Sequence, residues 1–332
     1  MVMGDLVREV DVVVVGGGPG GYSAAFRCAD LGLEAVIVDG DGRLGGACLH
    51  EGCIPSRHSC TWRRSWPTPS APREFGVEFG PPRFALDPLR KWKAERVVGK
   101  LAKGLAAVAR GRKVELVAGR GVFEGSRTLR VEGEAPQTIR FGHAIVATGS
   151  EPAALPGVAS GERIMDSTAA LEVPDVPERL LVVGGGYIGL ELGQVYAALG
   201  SRITLVEMAD GLLPGVDRDL VSPLARELGK RFADIRLGTR VDGLREIGAE
   251  VEATLGWARG AASTAPWWRW GAARGARGSG SRPRGRAWTD AGSSRWMGRA
   301  APTTRGSSPS ATSPGSRCWR TGRCVRARLP RR

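Results

Sequence analysis

Residues 11–40, DVVVVGGGPGGYSAAFRCADLGLEAVIVDG, admit few folds. Val12 to Val15 form a continuous apolar run, which suits a parallel strand buried on both faces. Gly16, Gly18 and Gly21 follow in G-x-G-x-x-G spacing, then a helical stretch, then a second apolar run that ends at Asp39. Glycines at those places allow a tight turn, close approach of a pyrophosphate to the backbone, and close packing of helix on strand. The helix N-terminus then faces the phosphates. Asp39 closes the second strand, where a carboxylate accepts hydrogen bonds from a ribose. A glycine triplet alone says little. Strand, turn, helix, strand and terminal acid in register point to a bound dinucleotide. Cys28 falls inside the helix and reads as core.

The same pattern recurs over residues 179–208, RLLVVGGGYIGLELGQVYAALGSRITLVEM. Gly184, Gly186 and Gly189 form the second turn, and Glu207 follows Gly184 at the spacing by which Asp39 follows Gly16. Two such units imply two dinucleotides. A glutamate at 207 repels a 2′-phosphate, so the second unit is expected to prefer NAD to NADP. AIVATGS at 144–150 reads as a strand returning to the first unit. The expected fold is α/β with two Rossmann-like dinucleotide-binding domains, 1–150 and 151–256, and a separate tail, 257–332.

Cys48 and Cys53, separated by four residues, follow GRLGG and precede IPS. A helix N-terminus beside such a pair stabilises a thiolate, which thiol–disulfide exchange requires. A buried structural pair and a pair of metal ligands are the alternatives. A metal is disfavoured, because metal-binding cysteines are usually spaced by two and only His50 and His58 lie nearby.

GGACLHEGCIPS, following GGGPGGYSAAFRCADLGL, resembles the flavoprotein disulfide reductases, and among them the dihydrolipoyl dehydrogenases. VARGRKVELVAGRGVFEG and residues 206–241 are similar to the same group. The resemblance covers residues 7–56 and 73 to about 255. It implies FAD on the first unit, with Gly16, Gly18, Gly21, Asp39, Gly45, Gly46, Arg57, Gly121 and Gly149 as binding positions. It implies NAD on the second, with Gly184, Gly186, Gly189, Glu191 and Glu207. It implies a redox disulfide between Cys48 and Cys53, with Cys53 against the flavin and Cys48 exchanging with substrate. The implied activity is oxidation of dihydrolipoyl groups with NAD as acceptor. The implied partners are dihydrolipoamide or a dihydrolipoyl-bearing acyltransferase subunit, and a second copy in a homodimer. The alternatives are a mercuric- or glutathione-type reductase, or a non-catalytic remnant with a nucleic-acid-binding tail.

Two stretches depart from the family pattern. Where a lysine is expected after CIPS the chain has Arg57, and residues 57–69 read RHSCTWRRSWPTP. One codon choice for these residues, read one nucleotide earlier, gives KALLHVAEVVADA, which restores amphipathic helical spacing. As written, the polar and proline residues are expected not to pack as a helix behind the disulfide. In the tail, PWWRWGAAR can be re-read as ALVAVGRRP, and SSPSATSPGSRCWRTGR as VFAIGDVAGEPMLAHRA. The latter resembles the family's second flavin motif. The reading frame is therefore expected to slip near 57, recover near 70–72 and slip again near 256.

Composition agrees. The tail holds 17 of the chain's 48 Lys and Arg but one of its 34 acidic residues, so the net charge of +14 belongs to the tail. Seven of the ten Trp lie there too, and Trp62 and Trp66 lie in the first altered stretch. Taken at face value, GARGSGSRPRGR could bind single-stranded nucleic acid. The frame slip explains its basicity without such a partner, so none is expected, and the tail is expected to be disordered. The resemblance implies a C-terminal dimerisation domain with a histidine base, and no counterpart to it is expected in the chain as written. Neither a signal peptide nor a run of eighteen apolar residues is found, so a cytoplasmic protein without a membrane span is expected.

Overall fold

The computed structural model describes residues 7–64, 83–150, 152, 155, 158, 161–248, 250–257, 268–270 and 286–289. They fall into two compact units, 7–50 with 100–150, and 51–99 with the described residues from 152 to 289.

The first unit is built on β1 (Val7–Val15), α1 (Pro19–Asp30) and β2 (Ala35–Asp39), as the glycine motif requires. It continues through α2 (Gly46–His50), and after the excursion into the second unit through α5 (Lys100–Gly111), β3 (Glu115–Ala118), β4 (Arg120–Gly125), β5 (Thr128–Glu132) and β6 (Gln137–Val146). The sheet order is β3-β2-β1-β6-β5-β4. β3, β2, β1 and β6 run parallel, and β4, β5 and β6 form an antiparallel meander. β1 alternates between two apolar layers. Val13 and Val15 join Leu129, Val131 and Ile139, while Val12 and Val14 join Ala25, Cys28 and Ile37. Burying a valine fully contributes about 1.5–3 kcal/mol, so the continuous run at 12–15 is the main anchor of this unit. β6 holds residues 144–146 of the stretch expected to be a returning strand.

The second unit opens with α3 (Cys53–Arg64) and α4 (Leu86–Trp92), followed by a π-helical stretch, Lys93–Gly99. Then come β7 (Ile164–Met165), α6 (Ser167–Leu171), β8 (Arg179–Val183), α7 (Tyr187–Leu199), β9 (Arg202–Val206), α8 (Arg218–Gly229), β10 (Asp234–Arg236), β11 (Thr239–Ile247) and β12 (Glu250–Trp257). Two short strands lie in the tail that was expected to be disordered, β13 (Trp268–Trp270) and β14 (Arg286–Thr289). The five-stranded sheet has the order β10-β9-β8-β14-β7 and is parallel throughout. β11, β12 and β13 form a separate antiparallel sheet. Tyr196, 1% exposed, anchors the core of this unit and donates from its hydroxyl to the Ala170 carbonyl at 2.9 Å.

As far as Arg64 the stretch after Cys53 departs from the expectation from sequence, while residues 65–69, with Pro67 and Pro69, lie outside the described residues. It is helical through Arg64, and Cys60 packs against the same core as Tyr196. Its hydroxyls are satisfied within the helix. Ser59 donates to the Pro55 carbonyl at 3.0 Å and Thr61 to the Arg57 carbonyl at 2.8 Å. Back-bonding of this kind lets a short polar side chain be buried at little cost. Pro55 sits in the first turn, where its missing N–H removes no helical bond.

Residues 83–99 belong with the second unit because two cations tie them there. Arg90 donates to the carbonyls of Val173 and Pro174 at 2.8 and 3.1 Å. Buried Lys93 donates to the Leu171 carbonyl at 2.7 Å and to Glu172 at 3.2 Å. The Leu171 carbonyl ends α6 and those of Val173 and Pro174 follow its cap, where a helix leaves its last acceptors unpaired and welcomes positive charge.

Candidate functional site: two matching glycine turns

In the first unit the Gly16 N–H donates to the Val38 carbonyl at 2.8 Å, which locks the turn to β2. Gly16 has φ +106°, and a Cβ there would lie 2.2 Å from the Ala147 carbonyl oxygen. A Cβ on Gly21 would lie 1.8 Å from the Gly16 carbonyl oxygen, so only glycine lets α1 approach the turn. Gly18 caps α1 with no side-chain hydrogen bond, and Pro19 follows. The first amides of the helix therefore remain open to an anion.

Asp39 ties the turn to the loop after β2. Its Oδ2 accepts from the Gly17 N–H at 2.7 Å and its Oδ1 from the Asp41 N–H at 3.0 Å. The Gly45 N–H donates to the Gly17 carbonyl at 2.9 Å. Gly17 is thus held at both ends of its residue.

The second unit repeats this arrangement, with Gly184 in the place of Gly16. The Gly184 N–H donates to the Val206 carbonyl at 2.8 Å. Glu207 accepts from the Gly185 N–H at 2.6 Å and from the Ala209 N–H at 2.7 Å. The Leu213 N–H donates to the Gly185 carbonyl at 2.9 Å. Gly186 caps α7 without a side-chain bond, as Gly18 caps α1. Gly185 leaves no room for a Cβ, which would lie 2.8 Å from Leu212.

The remaining residues named from sequence fall as follows. Gly45 and Gly46 have φ +120° and +54°, and a Cβ on Gly46 would come within 2.7 Å of the Gly18 Cα. Gly121 lies on β4 beneath Leu129, and Gly149 has φ +76° with open space where its Cβ would be. Gly189 is buried inside α7. Cys48 is half-buried on α2, and Cys53 is exposed as the first residue of α3. Arg57 is exposed on α3 and Glu191 half-buried on α7. Among the described residues no ion pair joins them. Burial pushes the Cys28 thiol up from its ordinary value, consistent with a core residue.

Sequence reasoning did not find the anchoring of the turns by Asp39 and Glu207, nor two side chains that reach the loops behind them. His50 Nε2 lies 2.9 Å from the Leu44 carbonyl, and Arg218 bonds the carbonyls of Leu212, Leu213 and Val216. His58 carries no mark in the sequence pattern either. Its Nε2 is buried with no hydrogen-bond partner among the described residues, and burial together with nearby Lys93 lowers its pKa.

A glycine-turn site in each of two α/β units defines a protein that handles two dinucleotides. Residues 10–259 match the family model described as pyridine nucleotide-disulphide oxidoreductase, and the chain belongs to that family. It is 46% identical over 235 residues to the dihydrolipoyl dehydrogenase of Vibrio cholerae, covering 70% of this chain and 49% of the relative. It is 39% identical over 247 residues to that of Geobacillus stearothermophilus, covering 74% and 52%. The chain therefore spans about half the length of the curated relatives it matches. Among solved structures, LpdA from Mycobacterium tuberculosis superposes with a TM-score of 0.69 at 23% identity, covering 85% of this chain and 59% of that one. The flavoprotein disulfide reductase RclA from Escherichia coli superposes with a TM-score of 0.67 at 22% identity, covering 85% and 56%. These two likenesses speak to the fold. Among the described residues no helix is long and apolar enough to cross a membrane.

Proposed function

We propose that the chain carries the two dinucleotide-binding domains of a dihydrolipoyl dehydrogenase, with FAD on the first and NAD on the second. The observation that carries this reading is the doubled glycine turn, with Asp39 anchored to Gly17 and Glu207 to Gly185, each the residue between the first two motif glycines. The residues fit the groups. Gly16 and Gly21 let the turn and the helix close on backbone with which a Cβ would collide, and each helix offers uncapped amides to a pyrophosphate. The carboxylates keep acceptor capacity for ribose hydroxyls. Domain boundaries near 150 and 256 go with this reading.

Cys48 and Cys53 are the proposed redox pair. With the pair in its oxidised, disulfide-bonded form, a substrate thiolate would attack Cys48 Sγ, break the Cys48–Cys53 bond and release Cys53 as thiolate. The second substrate thiol then closes the lipoyl disulfide and releases Cys48, so the dithiol is oxidised and the cysteine pair reduced. Bound flavin supplies the two-electron link from the reduced pair to NAD⁺, giving NADH and a proton. The proposed partners are dihydrolipoamide or a dihydrolipoyl-bearing acyltransferase subunit, and the proposed compartment is the cytoplasm.

The frame slip near 57 and after 256 is part of the proposal. It supposes that Arg57 stands where the family has lysine, and that the tail has lost the second flavin motif. The test is NAD-dependent oxidation of dihydrolipoamide by the 332-residue chain beside a frame-corrected chain, both supplied with FAD. We expect turnover in the corrected chain, its loss on Cys48→Ser or Cys53→Ser, and little turnover in the chain as written. Equal turnover in the two would refute the importance of the altered stretches. Coding DNA for residues 307–323 that cannot be re-read to a Gly-Asp motif would refute the frame slip.

A further inference from the structure

The internal duplication reaches beyond the glycine fingerprint. Leu44 and Leu212 stand at matching positions after Gly16 and Gly184, and both are buried, at 6% and 3% exposure. Gly45 and Leu213 come next in each copy, and they donate their N–H groups to the carbonyls of Gly17 and Gly185, each at 2.9 Å. His50 and Arg218 also occupy matching positions. His50 Nε2 lies 2.9 Å from the Leu44 carbonyl and Arg218 Nη1 lies 2.8 Å from the Leu212 carbonyl. A carbonyl only accepts, so His50 carries its proton on Nε2 and donates. Two residues of different chemistry thus make the same bond to the same place in each copy.

We propose that His50 and Arg218 are equivalent positioning residues of the two dinucleotide sites. Each latches the loop behind the second strand, so that the loop's amide braces Gly17 in the first unit and Gly185 in the second. This rests on the reading of the first unit as the FAD site and the second as the NAD site.

The second unit shows why a latch is needed. Leu213 has φ +49°, a conformation that costs a bulky L-residue about 1–2 kcal/mol. Arg218 holds it there by donating to Leu213 and Val216 as well, at 2.7 and 2.6 Å from Nη2, with Nε 3.0 Å from the Val216 carbonyl. Three carbonyl oxygens converge on one guanidinium and repel one another without it. In the first unit Gly45, with φ +120°, bears no such side-chain strain, and a single donor from His50 suffices. Gly185 is fixed through its N–H by Glu207 and through its carbonyl by Leu213. Releasing the loop frees the carbonyl half of that clamp. If the braced turn falls to about a tenth of the population, apparent affinity falls by about tenfold.

The test pairs two variants with two ligands on the 332-residue chain. Binding of FAD is followed by flavin fluorescence and binding of NAD by titration calorimetry. We expect His50→Phe to weaken FAD by roughly tenfold and leave NAD within about twofold, and Arg218→Met to do the reverse. His50→Gln and Arg218→Lys, which keep a donor, should recover part of each loss. Amide hydrogen exchange without ligand should speed up at Gly45 in the first variant and at Leu213 in the second. Unchanged exchange, or variants that weaken both ligands alike, would overturn the latch. Failure of the unsubstituted chain to bind NAD would instead overturn the functional reading, while the exchange rates judge the latch independently.

Discussion

Glu207→Gln is the sharpest single perturbation of the second site. The carboxylate accepts two backbone N–H bonds, from Gly185 at 2.6 Å and Ala209 at 2.7 Å. A glutamine of the same shape can accept only one, because its amide nitrogen then faces the other N–H. Hydrogen bonds to a charged acceptor are worth roughly 1.5–3 kcal/mol net. Losing one of them and the charge on the other loosens the turn by about 2 kcal/mol, taking the lower part of that range for a half-buried group. A tenfold change in affinity corresponds to ~1.4 kcal/mol, so NAD binding should weaken by at least about tenfold. NADP should be affected less, since the repulsion of its 2′-phosphate disappears with the charge, and discrimination between the two narrows. Titration calorimetry with NAD and NADP measures both effects, with FAD affinity as the internal control. Unchanged NAD affinity and unchanged discrimination would refute the assignment of Glu207 to this role.

Three further outcomes follow from the same geometry. Gly21→Ala should destabilise the first unit by ~3 kcal/mol or more and abolish FAD binding, read from urea midpoints and flavin retention, because its Cβ has 1.8 Å of room. Tyr196→Phe should cost about 1–2 kcal/mol in urea melts, because it leaves the buried Ala170 carbonyl without its hydroxyl donor. His58 should make stability fall on acidification. Its folded pKa is lowered by burial and by Lys93, so below about pH 6.5 the unfolded chain takes up the proton more readily than the folded one. The contribution is complete above that pH and is lost as pH falls through the folded pKa. Melts of His58→Gln against the unsubstituted chain between pH 7.5 and 5.5 should show a flatter slope in the variant, at roughly the reference pKa of histidine.

The two glycine turns were legible because their constraint is local. A strand buried on both faces must be apolar, a left-handed turn favours glycine, and a terminal acid sits at fixed spacing, so residues 11–40 and 179–208 declare themselves. The helix after Cys53 was not legible. Its polarity argues against burial, and only coordinates reveal that Ser59 and Thr61 bond back to their own helix. The placement of residues 83–99 with the second unit was hidden for a related reason. It depends on Arg90 and Lys93 meeting the carbonyls of residues 171–174, and a backbone acceptor leaves no mark on residue type. The proposed equivalence of His50 and Arg218 is illegible on the same ground, since a histidine and an arginine share no pattern beyond the ability to donate.

The most direct test of the whole reading is the number of dinucleotides that one chain holds. Purified 332-residue protein, stripped of bound nucleotide, is titrated with FAD and then with NAD by calorimetry. We expect one FAD and one NAD per chain, bound without competition, with Asp39→Asn weakening only the first and Glu207→Gln only the second. A single shared site, with each nucleotide displacing the other, would contradict the account.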